Sequence, residues 1–250
     1  MTAGGFTIHY SKNEIANEVL WENHCHAHYE MIAVITGSVL ISYEGLEVAL
    51  SAGDAIVLPP LCYHTVTANK KCTYRRLAAT FDKSAVPTVL QSFFEGKHPY
   101  VFRTEKGQTE RIRTLCHTDN AAFYAPLLQS LMIEVLYTCA TNTRHDTAGI
   151  TDAPLQAALL YIDEHLCERL TLDEIALHTA TSKSFLCHRF REKMKISPKQ
   201  YILQKRMALA VKLLSEGVPP TQVALCVGYE NYSNFYRMYQ KYLQNKAMEE

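Results

Sequence analysis

Four side chains in the first quarter of the chain have the types and spacing of a metal or small-molecule site. They are His24, His26 and Glu30, in the run His24-x-His26-x-x-x-Glu30, and His64 further on. Alternate residues of an extended strand share a face, so His24 and His26 point the same way and a second strand can bring His64 to them. Three imidazoles and a carboxylate are a donor set for a transition metal. Three uses are open to such a set: metal-dependent enzyme chemistry, a sensor pocket for a small effector, or hydrogen-bonded structural histidines. His28 is expected outward or at the pocket edge.

A second constellation lies in the last seventy residues. Lys183, Ser184, Cys187, His188 and Arg191 recur in kind as Tyr232, Ser233, Asn234, Tyr236 and Arg237. Arginine can bind guanine through two hydrogen bonds, asparagine can bind adenine, and serine or tyrosine can bond phosphates or base edges. Such groups read double-stranded DNA only if a helix carries them into the major groove. The sequence supplies that helix twice, in LTLDEIALHTATSKSFLCHRFREK (170–193) and in PPTQVALCVGYENYSNFYRMYQKY (219–242). Each copy has a short apolar-periodic helix (Leu172, Ile175, Ala176; Val223, Ala224, Val227), a tight break, and a second helix opened by a serine. This is the layout of a helix-turn-helix. Ser182 and Ser233 are the expected N-caps, and Leu186, Phe190, Phe235 and Tyr239 the expected inner faces.

The elements that position these groups follow from periodicity. From Phe6 to Phe81 the chain reads as β: MIAVI, SVLISY, LEVAL, DAIVL, HTVTA and YRRLAATF, with turns at Gly37-Ser38, Glu44-Gly45 and Gly53-Asp54. Short, evenly spaced strands predict a barrel or sandwich. From Val86 to Ala140 the period becomes helical, and Tyr124, Leu127, Leu128, Leu131, Met132, Val135 and Cys139 form one apolar stripe. That stripe, around Leu127, Leu131 and Val135, serves equally well as a dimer face or as packing on the barrel. The polar run 142–152 is the expected linker. After it come a helix from Pro154 to Leu166, with Ala157, Leu160, Tyr161 and Leu166 inward, and a spacer helix from Ser197 (N-cap) and Pro198 to Ser215, ended by Gly217.

Composition sets further bounds. Nearly half the 250 residues are apolar and a fifth are charged, which suits a chain with a real core. Net charge is zero, so bulk charge names no partner. Its distribution is more informative: from Lys183 to Lys212 nine basic residues face one acid, Glu192, over the first candidate reading helix. No apolar run is long enough to span a bilayer, and the N-terminus has no signal-peptide shape. The eight scattered cysteines lack any C-x-x-C pair, so reduced thiols and a cytoplasmic location are expected. There is no P-loop, dinucleotide fingerprint or G-x-S-x-G elbow.

The segment from Pro154 to Tyr242 resembles the AraC/XylS family of bacterial transcription regulators. The matching residues run from Leu172, Ile175 and Ala176 through Ser182, Leu186 and Phe190 to Ser197, Pro198 and Tyr201. They continue with Arg206, Met207, Ala210, Leu213 and Leu214, then Val223, Ala224, Gly228, Tyr229, Asn231, Ser233, Phe235, Arg237, Tyr239 and Lys241. Three positions depart from the family: His188 stands where arginine is usual, and Lys195 and Gln244 stand where glycines end the reading helices. The His24–Glu30 run followed by Gly37 resembles the first cupin motif, and Gly53-x-x-x-x-x-Pro59 with His64 a degraded second one, Leu61 replacing a usual glycine.

Together these imply an α+β protein. Residues 1–141 form a cupin-like β-barrel with a helical dimerisation segment, 142–152 a linker, and 153–250 an all-α double helix-turn-helix domain. The expected function is effector-responsive DNA binding by a homodimer, with RNA polymerase a further partner if it activates. His24, His26, Glu30 and His64 then line an effector pocket, with no catalytic residues, no cofactor, metal disfavoured and no membrane partner. The rivals are a metal-dependent cupin enzyme fused to a helical module and a regulator indifferent to any effector.

Overall fold

A computed structural model describes residues 2–15, 19–20, 24–68, 72–96, 98–116, 123–144 and 152–249. They form two compact units, one built mainly from residues 1–149 and one mainly from 150–250. Residues 145–151, most of the expected linker, lie outside the described residues.

The first unit is β-rich. Its strands are β1 (Thr2–Ala3), β2 (Phe6–Ile15), β3 (Val19–Leu20), β4 (Tyr29–Thr36), β5 (Ser38–Tyr43), β6 (Leu46–Ser51), β7 (Asp54–Leu58), β8 (His64–Ala68), β9 (Cys72–Phe81), β10 (Tyr100–Arg103) and β11 (Thr143–Arg144). One sheet has the order β1-β2-β9-β4-β7-β10-β11, the other β3-β8-β5-β6. The pairings are antiparallel, Met31 lying opposite both Val57 and Ala79. Alternation then sorts the side chains. Tyr29, Met31, Ala33, Ala55, Val57, Leu77, Ala79 and Phe81 share one core with the helix α3 introduced below. Glu30, Ile32, Ile56, Tyr74 and Ala78 take the opposite face. In the second sheet, Val39, Ile41 and Tyr43 are the buried half of β5.

Three helices complete this unit: α1 (Thr88–Gln91), α2 (Gln108–Cys116) and α3 (Ala125–Asn142). One expectation is corrected, and a choice left open by the sequence is narrowed. The stretch from Val86 to Ala140 is not helical throughout, because β10 interrupts it and pairs with β7, Val101 opposite Ile56. The apolar stripe of α3 is not a bare dimer face either. Leu131 and Val135 are buried against the sheet, with Leu128, Met132, Leu136 and Cys139. Leu127, 49% exposed, stays outside, as do Phe123 before the helix and Tyr137 two to three turns further along it. Burying a large apolar side chain contributes ~1.5–3 kcal/mol, so the barrel takes the stripe's best residues.

The second unit is helical: α4 (Ala153–Glu164), α5 (Leu172–His178), α6 (Lys183–Met194), α7 (Pro198–Ser215), α8 (Pro220–Cys226) and α9 (Tyr232–Glu249). The inward face of α4 is Leu155, Ala158, Leu159 and Ile162, continued by Leu166. Leu160 points out and Ala157 and Tyr161 are only half-buried, a correction to the expected phase. A run of AALLY offers two apolar faces, and tertiary packing picks one. Ile175, Ala176, Leu186 and Phe190 are buried as expected, Leu172 only partly, and Met194 and Tyr201 are buried as well, with the Phe190 and Tyr201 rings edge to face at 5.6 Å. Met207, Ala210, Val223, Ala224, Val227 and Phe235 make the second helix-turn-helix core. Among the described residues no helix is long and apolar enough to cross a membrane.

Candidate effector pocket and DNA interface

His24, His26, Glu30 and His64 do come together. One ligand atom from each lies within 4.8 Å of the other three. His24 and His26 precede β4 in a segment that is not a regular strand, apart from a single bridge at His24. Even so, burial alternates there as in a strand: Cys25, Ala27 and Tyr29 are buried, while His24, His26 and Glu30 are not. The two rings sit 5.8 Å apart. Glu30 is the second residue of β4 and His64 opens β8, one in each sheet. The His64 Nε2 is 3.0 Å from a Glu30 carboxylate oxygen. Its Nδ1 is 2.9 Å from the Cys62 carbonyl. A carbonyl only accepts, so Nδ1 donates there and Nε2 is the nitrogen turned to the cluster. His28 stands apart, as expected, paired with Asp82 at 3.0 Å.

Sequence reasoning missed the aromatic groups of this barrel. Tyr43, Tyr63 and Tyr74 are almost wholly buried. Burial pushes the phenol of Tyr43 up to about 12, and that of Tyr74 to about 12 although the neighbouring Arg76 pulls the other way. Tyr74 shares a face of β9 with Arg76, and its register mates lie on the Glu30 face of β4. Alternation within YRRLAATF could have found Tyr74, and alternation within SVLISY could have found Tyr43; Tyr63 precedes HTVTA, outside either run.

On the helical unit, each reading helix presents the predicted set. Lys183, Ser184, His188 and Arg191 are exposed on α6, and Cys187 is half-buried. Tyr232, Ser233, Asn234, Tyr236 and Arg237 are exposed on α9. Leu186, Phe190 and Phe235 are buried beneath them. Ser182 caps α6, accepting from the Phe185 N–H. The second cap is corrected: Asn231, not Ser233, accepts from the Asn234 N–H at 3.2 Å. Asparagine is as good a cap as serine, and its placement starts α9 one residue before Ser233. Lys195 ends α6 with φ +60°, the left-handed geometry for which glycine is usual. At Gln244 there is no stop, since α9 continues to Glu249.

Two basic residues prove structural. Lys205 is 1% exposed, its ammonium 2.6 Å from an Asp163 carboxylate, so it is no phosphate contact. The Arg206 guanidinium donates to the carbonyls of Leu166, Glu168 and Gly228 and lies 5.7 Å from the Tyr229 ring centre. It fastens the spacer helix α7 both to the α4–α5 connection and to the turn of the second helix-turn-helix. A Cβ at Gly228 would meet this guanidinium at 2.7 Å.

A barrel carrying a ligand-type cluster and a helical unit carrying two helix-turn-helix pairs define a two-part DNA-binding regulator. Comparison with known proteins agrees: residues 13–159 match the AraC-like ligand binding domain and 175–248 a helix-turn-helix domain. The chain belongs to the AraC family of transcription regulators. It is 24% identical over 227 residues to YobQ of Bacillus subtilis, an uncharacterized HTH-type transcriptional regulator, covering 89% of this chain and 85% of that one. SoxS of Escherichia coli, a regulatory protein, is 31% identical over 88 residues, 35% of this chain and 82% of SoxS. A third relative, YdiP of Escherichia coli, matches at 28% over 93 residues, 37% of this chain and 31% of YdiP's length. Among solved structures, ToxT of Vibrio cholerae aligns over 94% of this chain and 93% of its own, at 13% identity and a TM-score of 0.43.

Proposed function

We propose that this protein is a cytoplasmic, effector-responsive regulator that reads two successive major-groove segments of DNA with α6 and α9. What carries the reading is the repeated presentation of polar and basic side chains over a buried Leu186–Phe190 or Phe235 face, with α7 as a spacer clamped by Arg206. Arg237, Asn234 and Tyr236 with Tyr232 and Ser233 form the second reading head; Lys183, Ser184, Cys187, His188 and Arg191 form the first. The barrel takes a small effector at His24, His26, Glu30 and His64. An effector changes DNA binding only through unequal affinity for two states of the protein. The chain acts as a homodimer through the outer edge of α3, around Leu127 and Tyr137, and as an activator it would engage RNA polymerase. It has no catalytic role.

Selection of genomic fragments with the purified full-length protein, at two salt concentrations, tests this. The expected result is a recurrent site with two contact segments about one helical turn apart, bound more weakly at higher salt. Failure to enrich any sequence would overturn it.

A further inference from the structure

We infer that Cys167 and Cys226 are a redox-active dithiol, oxidised by a peroxide to a disulfide that clamps the second helix-turn-helix to the α4–α5 connection. The thiol chemistry stands apart from the proposed DNA reading; its effect on binding rests on that reading.

Both residues belong to the helical unit. Among the seven cysteines whose side chains are described, only these two are exposed. Cys226 ends α8, and Cys167 lies between α4 and α5. Those two stretches already meet backbone to backbone. The Arg206 guanidinium donates to the Leu166 and Glu168 carbonyls, on either side of Cys167, and to the Gly228 carbonyl, two residues past Cys226. A Cβ at Gly228 would stand 3.1 Å from the Glu168 carbonyl oxygen. Cys167 also shares a cleft of about 480 Å³ with Leu225 and Gly228. A disulfide needs Cα atoms about 4.4–6.8 Å apart, the spacing of residues on segments in backbone contact.

The electrostatics agree with this geometry. Partial burial raises the Cys167 thiol, the Arg206 guanidinium lowers it, and Cys226 raises it again, so each sulfur lies in the other's field. A cation beside a thiol favours the thiolate, the species that oxidants attack. Peroxide takes one thiolate to a sulfenic acid, its O–O bond breaking as hydroxide leaves. The other thiol then attacks the sulfenic sulfur, and the S–S bond forms as the S–OH bond breaks and water leaves. Two thiols and one hydrogen peroxide give one disulfide and two waters. In a reducing compartment the pair rests as thiols, and the hydrogen bonds of Arg206 join the two stretches reversibly. Oxidation makes the junction covalent and fixes α9 relative to α6.

The test treats the reduced full-length protein with hydrogen peroxide, blocks the remaining thiols and maps disulfides in an unreduced digest. The expected product is a Cys167–Cys226 link within one chain, formed before the buried Cys25, Cys62 and Cys139 react, reversed by dithiothreitol and absent from Cys167→Ser and Cys226→Ser. Oxidation should raise the thermal midpoint of the helical unit by roughly 5 °C in the wild type and in neither variant. A selected DNA fragment should bind oxidised and reduced protein alike. A fragment with one extra base pair between the two contact segments should bind the oxidised protein at least ~10-fold more weakly than the reduced one, because fixed heads cannot follow the shifted segment. Peroxide that links other cysteines, joins two chains, or leaves Cys167 and Cys226 reduced would overturn the dithiol. The mapped link with equal discrimination between the two fragments in both redox states would overturn the clamp. No sequence-specific binding in either state would overturn the DNA reading instead, the mapped link deciding the dithiol independently.

Discussion

The two helix-turn-helix units have the same frame but different electrostatics. In α5–α6, cations are engaged by acids: Lys183 with Asp173 at 3.0 Å, and Arg189 with Asp152 at 2.6 Å and Glu192 at 2.7 Å. His188 lies 3.8 Å from Glu192. In α9 no acid occurs from Asn231 to Lys241, and Arg237 is steadied by the neutral Asn234 oxygen at 3.2 Å. Exposed ion pairs are worth ~0–1 kcal/mol, so Lys183 can leave the exposed Asp173 for phosphate, whereas Arg189 is held by Asp152, whose side chain is buried. The second unit presents a pre-set Asn234–Arg237 pair. On the proposed DNA-reading role, this difference leads to the expectation that α9 carries most base discrimination and α6 most docking.

Their turns differ too. The residue ending the α5 turn is Ala180, with φ +51°; its counterpart after α8 is Gly228, with φ +78°. One repeat accepts left-handed strain and the other avoids it. Only the second has Arg206 packed where a Cβ would go, so its glycine is needed for two reasons.

These contrasts can be broken in order of effect. Gly228→Ala should destabilise the helical unit by ~2–4 kcal/mol, from backbone strain and displacement of Arg206, read as a lower denaturation midpoint. Arg237→Ala should cost ~1–3 kcal/mol on a selected DNA site and little on random DNA, while His188→Ala should cost less. Equal losses would erase the proposed division of labour. Ala180→Gly should stabilise by about 1 kcal/mol, because it removes left-handed strain at an exposed position.

The smallest effect is a pH dependence confined to the first unit. Glu174 accepts from the Thr171 hydroxyl and backbone N–H in a capping box, and these bonds hold its carboxyl below the usual 4.5. A depressed folded-state pKa stabilises above the unfolded-state value and is lost as pH falls through the folded one. Glu174→Gln, which can keep the box, should flatten the acid limb of thermal stability below about pH 4.5.

Local chemistry made much of this legible in the sequence. SVLISY, DAIVL and HTVTA are strands with the bounds read from the sequence, the first by its alternation and the other two as short runs between turn residues, and Ser197-Pro198 begins α7 because cap and first-turn proline act within one turn. His24, His26 and Glu30 were visible from spacing. His64 joins them only through pairing between distant strands. What failed depended on neighbours. Nothing local distinguishes Lys205, buried on Asp163, from Lys199 on the surface of the same helix. Leu131 and Val135 read as interface or core until the sheet covers them. Asn231 and Ser233 are both good caps, and the turn decides between them.

Hydroxyl-radical footprinting on a selected site, with wild type and Arg237→Ala at equal occupancy, tests the two-headed reading most directly. Two protected segments about one turn apart are expected, with the variant losing protection over one and keeping the other. A single protected segment, or loss spread evenly over both, would contradict it.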